Sequence, residues 1–189
     1  GGLHFGSSYP GDPSTDAVYD FIPDPLLSSI QHQNAFAGAC VFDIWVANAD
    51  MRQAIFYRER NPARSSLSAL FIDNSHLFGG PVWTFEETDM TGQYMSASAY
   101  RNIQDWGSFT PWLQRIEQLS KTDMLWVITN SVPEEWLCAR DRHSLERIAE
   151  QLSQRSRTLR ERMGSHVRSR RELFPNWKPN PPASAVLIP

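Results

Sequence analysis

The sequence predicts a mainly α-helical domain of the α+β kind, with one β-hairpin set into it. Three observations carry this expectation. The apolar content of residues 34–47 (Phe36, Cys40, Val41, Ile44, Trp45) is nearly continuous, as for a helix buried on all sides. Two strand-like runs, 54–57 and 67–72, flank a polar loop at 58–66 that contains Pro62. Leu145, Ile148, Leu152, Leu159, Met163 and Val167 trace one stripe of a long helix near the end of the chain. With 189 residues, 41% of them hydrophobic, the chain is long enough to build one sizeable core.

Most elements have a local signal. Residues 1–13 are rich in Gly, Ser and Pro and read as an entry loop. Residues 16–21 read as a short helical or irregular segment stopped by Pro23. Asp24 can cap a helix with Pro25 at its first position and Leu26, Leu27 and Ile30 on one face. Asn34 can cap the central helix, which runs directly into Asn48-Ala49-Asp50. The hairpin comes next, then a turn at Gly79-Gly80-Pro81 and an irregular acidic loop at 83–95 carrying Glu86, Glu87 and Asp89. Beyond it the pattern is helical. One helix is expected at 96–105, and the next after Gly107-Ser108, with Trp112, Leu113, Ile116 and Leu119 on its apolar side. Residues 122–129 suit helix or strand. Ser131-Val132-Pro133-Glu134 has the form of a capping box, so a helix should begin there. The folded unit is expected to span 14–173. The tail, 174–189, holds five prolines and should lie extended on the surface.

Charge and composition narrow the function classes. A formal net charge of −3 lends no support to direct nucleic-acid binding, and Arg168, Arg170 and Arg171 read as cations closing a helix C-terminus. No apolar run approaches the roughly 20 residues of a membrane-spanning helix. Cys40 and Cys138 fall in apolar helical patterns and read as buried free thiols, which points to a reducing, cytoplasmic compartment. His4, His32, His143 and His166 lack zinc-ligand spacing. Trp45, Trp83, Trp106 and Trp112 read as core aromatics. Asp43 reads as a helix-surface residue or the partner of an arginine.

The polar residues at the hairpin ends carry the chemistry. Asp50 precedes the first strand and Asp73 ends the second, so a hairpin should bring both to one pocket. Phosphoryl transfer needs an acid to orient the attacking hydroxyl and accept its proton, and oxygen ligands for the metal that bridges the nucleotide phosphates. Asp50 suits the first role and Asp73 the second. Gln53 or Asn48 could add an amide oxygen, and His76 reads as a satisfied or solvated histidine or, alternatively, as a support behind Asp73.

These residues resemble a known pattern. Asn48-Ala49-Asp50 followed by a hairpin and Phe71-Ile72-Asp73-Asn74 is similar to the Asn-x-Asp-Arg-x-x-x-Asn loop and Ile-Asp-x-Gly turn of HipA-like kinases, and more distantly of phosphoinositide kinases. Phe42-Asp43-Ile44-Trp45, Arg52-Gln53-Ala54-Ile55-Phe56, Phe78-Gly79-Gly80-Pro81, Tyr100 and Phe109-x-x-Trp112-Leu113 extend the similarity to about residue 116. The resemblance implies the helical C-terminal lobe of a protein-kinase-like fold with one catalytic β-hairpin. It implies ATP and Mg²⁺ as cofactors, with Asp50 catalytic, Asp73 and Gln53 toward the metal, and Asn48 and Gln53 toward the nucleotide. It also implies Ser/Thr phosphorylation of a protein substrate, with an antitoxin-like partner in a toxin–antitoxin or stress setting. Residues 1–13 would be the linker from a small lobe that supplies the phosphate-binding lysine. Lys121 and Lys178 lie too late in the chain for that task. Without that lobe the chain is expected to bind nucleotide poorly and to be inactive. Two positions depart from the pattern. Ile55 stands where the metal-binding Asn is usual, and Asn74-Ser75 replace the glycine after Asp73. Those departures and the acidic loop leave an alternative open, a pseudokinase or protein-interaction module without catalysis.

Overall fold

A computed structural model describes residues 2, 4, 6, 12, 14, 16–59, 66–89 and 91–178. Most of the linker, the hairpin loop around Pro62 and the tail beyond Lys178 lie outside the described residues. The chain is of mixed α/β type, about half helix, with one small antiparallel sheet. Its elements are β1 (Asp16–Tyr19), α1 (Asp24–Leu27), α2 (Ala35–Val46), β2 (Gln53–Glu59), β3 (Leu67–Ile72), α3 (Thr110–Glu117), α4 (Lys121–Ser131) and α5 (Ala139–Ser169). Among the described residues, no helix is long and apolar enough to cross a membrane.

Helix α2 is the axis of the core. Phe36, Ala37, Cys40, Val41, Ile44, Trp45 and Val46 are all buried, which is why its apolar pattern shows no polar face. It packs on α3 and α5, and Gly38 allows the α3 contact, because a Cβ there would lie 2.7 Å from the Trp112 ring. The C-terminal carbonyls of α2 need outside donors. Arg155 of α5 supplies them, reaching Trp45 O at 2.6 Å and Ile44 O at 2.5 Å, while the Trp45 indole donates to Leu152 O. The sheet order is β1-β2-β3, with Gln53 opposite Ile72 and Asp16 opposite Glu59.

The central helix and the hairpin fall where the pattern placed them, and the ambiguous stretch at 122–129 is helical. There Ser120 and Asp123 cap α4 reciprocally, each side chain accepting from the other's backbone N–H. Six expectations are corrected. Residues 16–19 form a strand, because the open edge of β2 offers hydrogen bonds that four residues of helix could not match. Residues 96–105 contain only a 3₁₀ turn at Ala97–Tyr100, started by Ser96. The helix expected from Ser131 starts at Ala139, with Asp141 accepting from the Cys138 N–H; before it lies a 3₁₀ turn at Glu134–Trp136. Cys138 is therefore exposed and only Cys40 is buried, both as free thiols; Trp83 is exposed as well. The start of the tail is core. Phe174 and Trp177 are buried against Tyr100, Trp106 and Phe109.

Candidate functional site

Helix α2 ends in a residue with left-handed backbone. Ala47 has φ 52° and ψ 58°, a conformation that disfavours a side chain by roughly 1–2 kcal/mol. It turns the chain into Asn48-Ala49-Asp50, whose backbone is held from two directions. The Ala49 N–H donates to His76 O at 2.9 Å, tying this loop to the turn after β3. The acidic loop straps its other side: Thr88 Oγ1 donates to Ala49 O at 2.9 Å, Gly92 N–H to Asp50 O at 3.3 Å, and Arg52 N–H to Gln93 O at 3.1 Å. That strap is itself charge-paired, Glu87 with Arg155 and Arg162, and Asp89 with Arg170.

The hairpin brings the two candidate acids to one face. Asp73 also has left-handed backbone, with φ 58°. Its Oδ1 accepts from Ser75 Oγ at 2.6 Å and Ser75 N–H at 3.1 Å, and its Oδ2 accepts from Gln53 Nε2 at 3.0 Å. The Ser75 donors hold the Asp73 carboxyl below the usual carboxylate range, so it is ionised at neutral pH. Ser75 Oγ also lies 3.0 Å from His76 Nδ1, which in turn lies 3.9 Å from Asp50 Oδ2. Asp50, Ser75, His76 and Asp73 thus form one polar row. The row lies open, with the Asp50 and His76 side chains 41% and 46% exposed, so the acids share one surface but sit on a shelf.

The two candidate amides differ. Gln53 is exposed, with its nitrogen on Asp73 and, among the described residues, no hydrogen bond to its oxygen. Asn48 is 1% exposed and engaged at both ends: its Nδ2 donates to Asp43 Oδ1 at 3.2 Å and its Oδ1 accepts the Asp50 N–H at 3.3 Å. Asn48 therefore shapes the loop from inside. Ile55 is half-buried on β2. Among the described residues, no group of three or more His, Cys, Asp or Glu side chains is placed to hold a metal.

Behind the shelf sits a polar cluster centred on Arg52, a residue the sequence did not single out. Asp43 is an arginine's partner, as one reading allowed, but it is fully buried rather than on a helix surface. Arg52 binds it with a guanidinium fork, Nε to Oδ2 at 2.9 Å and Nη2 to Oδ1. The remaining nitrogen, Nη1, donates to Ile72 O and Asn74 Oδ1, both at 3.0 Å. Burial pushes the Asp43 carboxyl above its usual range, against the pull of Arg52 and Asn48. The signal available in the sequence was an Asp inside an otherwise apolar helix, nine residues before an Arg.

Compared with known proteins, the chain has no significant match to a family model, a curated protein or a solved structure.

Proposed function

We propose that this chain is the helical large lobe of an ATP-dependent phosphotransferase of the HipA-like kind. The observation that carries the reading is the polar row at the hairpin mouth. Asp50 and Asp73 face one open surface at the end of a buried helix, joined through Ser75 and His76. Asp50 is the base: its exposed carboxylate orients an acceptor hydroxyl and takes up its proton as the oxygen attacks. Asp73 and Gln53 are the residues that would hold a divalent cation. One ionised carboxylate and one amide oxygen suit Mg²⁺, which takes few protein ligands and leaves its other positions to water and phosphate. When bound, the cation neutralises charge on the transferring phosphoryl group. Asn48 keeps Asp50 in place by accepting its N–H.

The test is transfer of labelled phosphate from ATP to a generic protein acceptor by the full-length polypeptide. Asp73→Asn should abolish metal-dependent nucleotide binding, because a neutral amide is a poorer Mg²⁺ ligand. Asp50→Asn should bind nucleotide and lose about 10²–10⁴ in rate. Gln53→Ala should raise the Mg²⁺ concentration needed. Unchanged phosphorylation in both Asp variants would end the reading. A second reading, a non-catalytic interaction module, is favoured by Ile55, an apolar side chain where the HipA-like pattern carries a metal-binding Asn. Wild-type protein that binds neither ATP nor Mg²⁺ would support it.

A further inference from the structure

We infer that the buried Asp43–Arg52 pair is a shared positioning device that sets Asp50 and Asp73 together. The inference rests on the phosphotransferase reading for its consequence in rate, but not for its geometry. Arg52 spends Nε and Nη2 on the two oxygens of Asp43. That leaves Nη1 for the turn after β3, where it meets Ile72 O and Asn74 Oδ1 at 3.0 Å and Asp73 O at 3.5 Å. These acceptors bracket Asp73, a non-glycine residue with left-handed backbone, and add contacts from outside the turn to those its own carboxylate makes with Ser75. On the other side, Asp43 Oδ1 also receives Asn48 Nδ2, and Asn48 Oδ1 receives the Asp50 N–H. A continuous chain of hydrogen bonds therefore runs from Asp50 through Asn48, Asp43 and Arg52 to the carbonyl of Asp73.

Three further features mark the pair as built for geometry. A buried ion pair is a poor source of stability, since an apolar pair of similar volume does as well or better, so its use here is directional. Only arginine can serve it: a planar fork reaches a carboxylate and a separate set of carbonyls at once, which an ammonium cannot. The pair is also sealed. Gly92, with φ 64°, carries the acidic strap so closely over Asp43 that a Cβ there would lie 2.3 Å from the Asp43 Cβ. Neither Asp43 nor Arg52 reaches the open face, so both are positioning residues and not catalytic ones.

The decisive variant is Arg52→Lys, which keeps the charge beside Asp43 and removes the fork. Amide hydrogen exchange on the chain should quicken by about tenfold or more at both 49–51 and 73–76, with α5 unchanged. In phosphoryl transfer by the full-length polypeptide, kcat should fall on the order of 10–100-fold with KM for ATP little altered, as for misplaced but intact groups. Asn74→Ala, an exposed change at one end of the chain of bonds, should quicken exchange at 73–76 and leave 49–51 alone. Exchange that changes in neither loop, or in only one, for Arg52→Lys would overturn the inference. Should Arg52→Lys not fold, unchanged exchange at 73–76 in Asn74→Ala would overturn it instead. A wild-type protein that transfers no phosphate would defeat the phosphotransferase reading alone, and the exchange result would still decide the clamp.

Discussion

Two clusters in this molecule lie in its interior and are differently made. One is the aromatic cluster of Tyr100, Trp106, Phe109, Phe174 and Trp177, which joins the end of the chain to its middle. The other is the polar cluster of Asp43, Asn48 and Arg52 beneath the hairpin mouth. Ring packing gains from area removed from water and tolerates small rotations, because dispersion and the hydrophobic effect have little directionality. The polar cluster gains little net stability, yet each of its bonds weakens steeply with angle and distance. Holding a chain end and holding two carboxylates in register are different tasks, and the molecule gives each to the interaction suited to it.

The largest expected effects come from breaking the two clusters in parallel. Phe174→Ala should lower unfolding free energy by about 3–5 kcal/mol, as for other buried aromatics cut to a methyl. Asp43→Ala should lower it by a similar amount, about 3–5 kcal/mol, by leaving Arg52 buried and uncompensated. Urea denaturation measures both. A double variant sharpens the comparison. Replacing the pair with two apolar residues, Asp43→Leu with Arg52→Met, should restore much of the stability without restoring slow exchange at 49–51 and 73–76. Full recovery of both would mean that direction does not matter there.

A pH effect comes next. His166 edges the aromatic cluster, with its ring 6.1 Å from Phe174 and its Nε2 buried without a hydrogen-bond partner among the described residues. Burial, and then the charge of Arg170, push it down from 6.5 to about 4. The unfolded chain takes up this proton near pH 6.5 and the folded chain only near 4. The contribution is complete above pH 6.5 and is lost as pH falls across that window. Thermal melts at about pH 7 and pH 5 should therefore differ less in His166→Gln than in wild type. An equal difference in both would show that other groups set the acid response.

The smallest effect belongs to the polar side. Gly92→Ala meets both a left-handed backbone and the Asp43 side chain, and should cost roughly 2 kcal/mol from backbone strain and local displacement. Its mark should be local, quicker exchange at 49–52 measured against an unchanged α5. A variant as stable as wild type would show that the strap does not seal the pair.

Much of this was legible from local pattern. The all-apolar run of α2 and the strand at Leu67–Ile72 follow from periodicity, which depends only on neighbours along the chain. So does the position of Asp50 and Asp73 at the two ends of a hairpin, since antiparallel pairing of β2 with β3 brings those ends together. Their chemical type, two carboxylates at one end of a hairpin, is read directly from the residues. Other features had no local signal. Whether residues 16–19 would be strand was decided by the free edge of β2, and whether Phe174 and Trp177 would be buried was decided by the rings of Tyr100, Trp106 and Phe109 against which they pack. Pattern reads Asn48 as a ligand; the folded chain engages its amide at both ends, between Asp43 and Asp50. Arg52 carried no mark of burial in its neighbours along the chain. Only the folded chain places its fork among acceptors that lie 9 to 22 residues away in sequence, and only burial turns that placement into a constraint. Sequence by itself determined the central helix, the hairpin and the chemical types at its mouth, because these are set by residues and their near neighbours. Tertiary structure alone decided which polar groups face solvent and which hold the others still, because that depends on distances between segments that pattern does not record.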